Sequence, residues 1–196
     1  DSLPKESFTF EDAISVSQAC LKEGDGSARA IDRIDRLSLV NQLCDESVVE
    51  RSTIDFPPSI QSRDPQYIEQ IRTEVEALSN FHPERISAWE KTVDDLPNPI
   101  DADTVELLEV ALNVEEELRA ETDKAISDGE LIRRAIRQLT ATSGETWTTA
   151  FDNIDRLSMV GLSSISAPYA DLIHAVAMTT PVDIHIHFRP ATGDYL

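Results

Sequence analysis

Residues 157–188 constrain the fold more than any other stretch. Leu157-Ser158-Met159-Val160-Gly161-Leu162 reads as a short buried strand. Ser166-Ala167-Pro168 then opens a helix carrying Tyr169, Leu172, Ile173, Ala175, Val176 and Ala177. Pro181-Val182-Asp183-Ile184-His185-Ile186-His187-Phe188 reads as a second strand. Two strands joined through a helical crossover of roughly fifteen residues form a βαβ unit, so they are expected to be parallel neighbours with a right-handed connection. Parallel strands are normally buried on both faces, and two alone do not make a stable sheet. This stretch therefore reads as the edge of a larger α/β domain.

The preceding three-quarters of the chain reads as helices separated by polar turns. Thr9-Phe10-Glu11-Asp12 has the form of an N-cap before Ala13, Ile14, Val16 and Ala19, with a break at Lys22 to Gly26. Ser27 is the expected cap of a second helix. Its apolar positions are Ala30, Ile31, Ile34, Leu37, Val40 and Leu43, with Asp32, Arg33, Asp35 and Arg36 opposite. Pro57-Pro58 and neighbouring Ser and Asp residues mark residues 45–64 as a long loop. Asp64-Pro65 is a strong helix start, and Tyr67, Ile68, Ile71, Val75 and Leu78 form its expected buried stripe. His82-Pro83 opens another helix, and Asp94 to Pro99 breaks the chain. A long acidic helix follows over about 103–126, and Ser127-Asp128-Gly129-Glu130 is a capping box for a further helix through Leu139. Thr140 to Glu145 reads as a turn. The fold class is thus α-rich α/β: a helical subdomain over 1–145, then a βαβ fragment of a parallel sheet over 146–196.

Charge narrows the environment. The 196 residues carry 37 acidic side chains against 17 Lys and Arg, a net charge of −20. Only four of the cations are lysines (Lys5, Lys22, Lys91 and Lys124) and thirteen are arginines. Sparse lysine amid abundant Asp and Glu resembles the cytoplasmic proteins of extreme halophiles. At molar salt the Debye length falls to ~3 Å, so repulsion among surface carboxylates is largely screened. In such a setting acidity does not exclude a protein that handles nucleic acid, although it lends no support to one. No stretch approaches the ~18 consecutive apolar residues of a transmembrane helix, and no basic segment leads into an apolar one, so the expectation is a cytoplasmic protein without a membrane partner. The start at Asp1 reads as an excised piece of something longer. Cys20 and Cys44 lie far apart without a CxxC or Cys/His spacing, as expected of two buried thiols in a reducing compartment.

Three strings invite chemistry. His185 and His187 alternate on a strand, so both fall on one face within reach of a single metal ion. Asp183 to Pro190 resembles the first metal-binding strand of dihydroorotase-like amidohydrolases. Such a site needs a barrel of further ligands, and only nine residues follow His187. These histidines are candidate metal ligands, and no bound metal is expected. Gly161-Leu162-Ser163-Ser164 approaches a nucleophile elbow, but Ile165 stands where its second glycine is required. Arg133, Arg134 and Arg137 share a helix face and are candidate DNA-phosphate contacts; pairing with acidic neighbours is the alternative. No phosphate-binding loop of the form G-x-x-x-x-G-K-[ST] occurs.

A wider resemblance rests on the order of four segments: Ala30 to Val40, Glu74 to Ile86, Ser127 to Leu139 and Leu157 to His187. That order resembles the helical insertion and subsequent strands of superfamily 1, UvrD/Rep-type DNA helicases. It is closest to the degenerate helicase-like B subunits of ATP-dependent helicase–nucleases, which act in DNA repair and recombination. The resemblance implies a P-loop-type parallel sheet, with ATP and magnesium as cofactors of a parent protein whose phosphate loop lies upstream of Asp1. It also implies DNA and a helicase/nuclease subunit, or flanking domains, as partners. In active relatives the strand matching Leu157–Val160 is followed by an Asp-Glu pair that holds magnesium and activates water. Here Gly161 and Leu162 stand at that place, and Pro181–Phe188 lacks the Gly-Asp-x-x-Gln run. The implied role is a non-catalytic segment without catalytic or cofactor-binding residues of its own. Two other readings are an acidic helical protein-interaction module and, on the histidines alone, a metal-dependent amidohydrolase fragment.

Overall fold

A computed structural model describes residues 11–21, 29–44, 54, 56–57, 60, 63–93, 95, 100–162 and 164–188. Within them lie α1 (Ala13–Cys20), α2 (Arg33–Cys44), α3 (Pro65–Ser79), α4 (Pro83–Val93), α5 (Ile100–Glu121), α6 (Asp128–Ala141), α7 (Glu145–Ala150), β1 (Arg156–Leu162), α8 (Ala167–Thr179) and β2 (Asp183–Phe188).

The helix starts follow local capping chemistry. The Asp64 carboxylate accepts from the Gln66 N–H, with Pro65 at the first helical position of α3, as the Asp-Pro pair predicts. Ser127 Oγ accepts the Glu130 N–H at 3.0 Å and starts α6. The reciprocal half of the expected capping box is absent, because the Glu130 carboxylate is spent on four arginines. Asp12, not Thr9, caps α1, accepting the Ser15 N–H at 2.7 Å. The second helix starts later than expected. Asp32 accepts from the Ile34 and Asp35 N–H groups and begins α2 at Arg33. Ala30 instead forms a parallel bridge to Ala125, and the Ile31 N–H donates to the Ala125 carbonyl at 2.8 Å. The expected Thr9 and Ser27 caps, the break over 22–26, most of the loop over 45–64 and Leu96 to Pro99 lie outside the described residues.

The long helix α5 ends at Glu121, about a turn earlier than expected, and the expected turn over 140–145 is present at residues 142–144, followed by a short helix, α7, that the sequence analysis does not include. Between α6 and α7, Gly144 takes a φ of +82°, and a Cβ there would stand 2.2 Å from the Thr179 carbonyl oxygen. Only glycine meets both demands.

Strands β1 and β2 pair in parallel, with Leu157 opposite Ile184 and Met159 opposite Ile186. Leu157 and Ile184 pack inward on a core of Cys20, Leu131, Ile132, Ala135, Leu139, Trp147, Leu172 and Val176. Alternation puts Ser158, Val160, His185 and His187 on the opposite, exposed face. Two further apolar clusters hold the helices together. One joins Val40 and Leu43 of α2, Ile68 of α3 and Val110, Val114 and Leu118 of α5; the other joins Val75, Ile86, Leu108 and Ala111. Both cysteines are free and buried, and burial pushes the Cys20 thiol up to about 11.

The stripe expected on α3 is corrected in part. Ile68 and Val75 are buried, but Tyr67 and Leu78 are exposed. Glu69, Arg72 and Glu76 occupy the buried positions between them.

Candidate functional site

Those charged residues belong to a cluster on facing turns of α3, α5 and α6. Residues 130, 133, 134 and 137 recur at i, i+3, i+4 and i+7, so they share one face of α6. That face meets Glu76 of α3 and Glu115 and Arg119 of α5, and Arg72 and Glu69 of α3 join the cluster behind Glu115.

Arg133 points inward and is 8% exposed. Its Nε donates to Glu130 at 2.9 Å, and its Nη1 to Glu76 at 2.9 Å and to Asn80 Oδ1 at 3.1 Å. Its Nη2 donates to Glu115 at 2.6 Å. Its guanidinium carbon also lies 5.4 Å from the centre of the Phe81 ring. Arg72 is 1% exposed. It forks onto Glu69 through Nε (2.8 Å) and Nη2 (3.1 Å), and its Nη1 donates to Glu115 at 2.7 Å. Burial alone would lower the Arg72 pKa, but the hydrogen bond to Glu69 and the charges of Glu76, Glu69 and Glu115 raise it, so it stays charged. Arg119 bridges Glu115 and Glu130 at 2.7 and 2.9 Å. Ser127 Oγ donates to Glu76 at 2.7 Å.

The other two candidate phosphate contacts lie at the rim. Arg134 bonds Glu130 and the carbonyls of Asp123 and Lys124. Arg137 reaches Glu130 through Nη2 at 3.1 Å, and its side chain is 61% exposed. Arg36 of α2 joins from the far side, donating to Glu69 and to the Ile126 carbonyl. Six arginines thus surround four glutamates, which leaves this cluster net cationic within a chain of net charge −20. Burial opposes ionisation of Glu130. The charges of Arg133 and Arg119 and hydrogen bonds from Arg134 and Arg133 outweigh it and hold its pKa at about 2. The arginine spacing on α6 was visible in the sequence, and pairing with acidic neighbours was its alternative reading; nothing in the sequence singles out Glu76 and Glu115 as those neighbours.

A smaller pair joins α8 to the helices. Arg85 forks onto Asp171, which also accepts the Asn80 amide at 2.6 Å. Asn80 takes a left-handed φ of 52° as the C-cap of α3, and this aims its side chain at both Arg133 and Asp171.

On β2 the His185 and His187 rings lie 6.4 Å apart and nearly parallel on the exposed face. Among the described residues no three His, Cys, Asp or Glu side chains converge to hold a metal ion. No described helix is long and apolar enough to cross a membrane.

Helices tied together by a buried arginine–glutamate cluster and joined to one parallel β–α–β unit define a helix-rich α/β protein. The chain belongs to the halobacterial UvrD-like protein family, whose model matches residues 1–196. It is helicase-like in that sense, as the order of its segments implied. No curated protein and no solved structure matches it.

Proposed function

We propose that this chain is a non-catalytic, DNA-handling segment of a larger ATP-dependent helicase/nuclease-like machine of a halophile's cytoplasm, akin to the helicase-like B subunits. The observation that carries the reading is the parallel β1–α8–β2 unit in a UvrD-like chain. At the carboxyl end of β1, where a parallel sheet binds its ligands, stand Gly161 and Leu162. Neither residue has a side-chain carboxylate to offer magnesium, so this edge does not fit Mg-ATP, and any nucleotide chemistry belongs to the parent protein. The exposed second face of the two-stranded sheet supports the further reading that more strands, or a covering layer, come from flanking residues or a partner subunit.

Two measurements on the purified chain test the proposal. Titration calorimetry with Mg-ATP in high salt is expected to give no saturable heat, and micromolar binding overturns the non-catalytic reading. Fluorescence anisotropy with a labelled oligodeoxynucleotide is expected to show saturable binding at high salt, where the chain's own negative charge is screened. Absence of DNA binding at every salt concentration would leave the acidic interaction module in its place.

A further inference from the structure

Gln18 of α1, residues 29–32 with Arg33 and Arg36 of the first turn of α2, and the first turn of α6 line an open cavity of about 400 Å³. Three arginines line it, Arg29, Arg33 and Arg36, beside the acids Asp32 and Asp128. We propose that this cavity binds a phosphate group, with a DNA strand as its source.

The three arginines are in different states. Arg36 is engaged by Glu69 and the Ile126 carbonyl, so its guanidinium is fixed. Arg29 and Arg33 are exposed, and among the described residues neither makes an ion pair or a side-chain hydrogen bond. Thirteen arginines serve 37 acids in this chain, and Arg72, Arg85, Arg119, Arg133, Arg134 and Arg137 all hold carboxylates. Among the described residues Arg156 of β1 also lacks an ion pair, but Arg29 and Arg33 stand together on one concave wall. Of the two acids, Asp32 has Oδ1 turned to the Ile34 and Asp35 N–H groups, which offsets part of its charge. Asp128 lies in the first turn of α6, where the helix dipole stabilises it.

Planar guanidinium forks match a phosphate's oxygens and bind them in pairs. A net charge of −20 would repel such an anion in dilute buffer. At molar salt the Debye length is ~3 Å, which removes the distant repulsion and leaves contacts at hydrogen-bond distance in force. The site is thus suited to the ionic strength at which so acidic a chain is stable.

The choice of DNA as the source rests on the DNA-handling reading; the phosphate chemistry does not. The test titrates inorganic tripolyphosphate and, separately, a short single-stranded oligodeoxynucleotide into the full chain at about 1 M KCl. Wild type, the double variant Arg29→Gln/Arg33→Gln and the control Lys91→Gln are compared. Both probes are expected to bind wild type saturably, one per chain. The double variant should weaken both by about tenfold or more at an unchanged thermal midpoint, and Lys91→Gln should change neither. Failure of both probes to bind, or equal affinity in wild type and the double variant, overturns the site. DNA bound equally by both proteins removes the cavity and leaves the DNA-handling reading standing. Tripolyphosphate lost in the double variant, with no DNA bound by any protein, keeps the phosphate site and removes DNA as its source.

Discussion

Arg133 on α6 and Glu115 on α5 meet at 2.6 Å, although Glu115 is also held at 2.7 Å by Arg72 from α3. One carboxylate thereby joins three helices. Both of its oxygens are engaged, Oε1 by Arg133 and Arg119 and Oε2 by Arg72. Desolvating this many charges is costly, and it is tolerated because nearly every donor has an acceptor.

The first prediction concerns Glu115. Glu115→Ala leaves Arg72 and Arg133 buried with a counter-charge missing. Removing one partner of a buried pair typically costs about 3–5 kcal/mol, so a loss near the lower end is expected here because Glu69, Glu76 and Glu130 remain. Chemical denaturation in high salt measures it. A midpoint within error of wild type would show that the cluster does not hold the helices together.

Acid stability should follow Glu130. Its pKa is about 2 in the fold against an ordinary 4.5, so the unfolded chain takes up the proton first. Its contribution is complete above about pH 5 and lost as pH falls toward 2, on the order of 3 kcal/mol. Glu69 and Asp171 are lowered too and act in the same direction. Burial raises Glu115, which opposes them over part of that range. Denaturant midpoints from pH 7 to pH 3 should fall, and Glu130→Gln should flatten the slope. An equally steep decline in that variant would assign the effect elsewhere.

Gly129 offers a test of packing. Alanine is the better helix former by about 1 kcal/mol, so Gly129→Ala would ordinarily stabilise α6. A Cβ there would sit 2.5 Å from both Cδ and Oε1 of Glu76, the carboxylate that accepts from Ser127 and Arg133. Displacing it should cost about 1–2 kcal/mol net. A raised thermal midpoint would mean that Glu76 relocates without loss.

Salt should stabilise the chain. A carboxylate excess that gives −20 repels itself in dilute buffer and is screened at high ionic strength. The thermal midpoint is expected to rise markedly between dilute buffer and about 2 M KCl, beyond the range in which ordinary surface pairs are already screened. A flat or falling midpoint removes the halophilic reading.

The sequence by itself determined where most elements lie and how the strands pair. Asp64-Pro65 and Ser127 start their helices through bonds to N–H groups two or three residues away, so the signal is local. The parallel pairing of β1 and β2 follows from the helix between them, which rules out a tight hairpin. Only the tertiary structure decided which helix faces are interior. Periodicity shows that Glu69, Arg72 and Glu76 share a face with one another, but not that this face is buried. Arg72 is buried because Glu115 arrives from 43 residues away, and Arg133 because Glu76 arrives from 57. Burying a charge is favourable only once its partner is in place, and those partners are set by the packing of α3, α5 and α6. For the same reason Ile34, Tyr67 and Leu78, apolar and well spaced, remain at the surface: among the described residues no element packs over them.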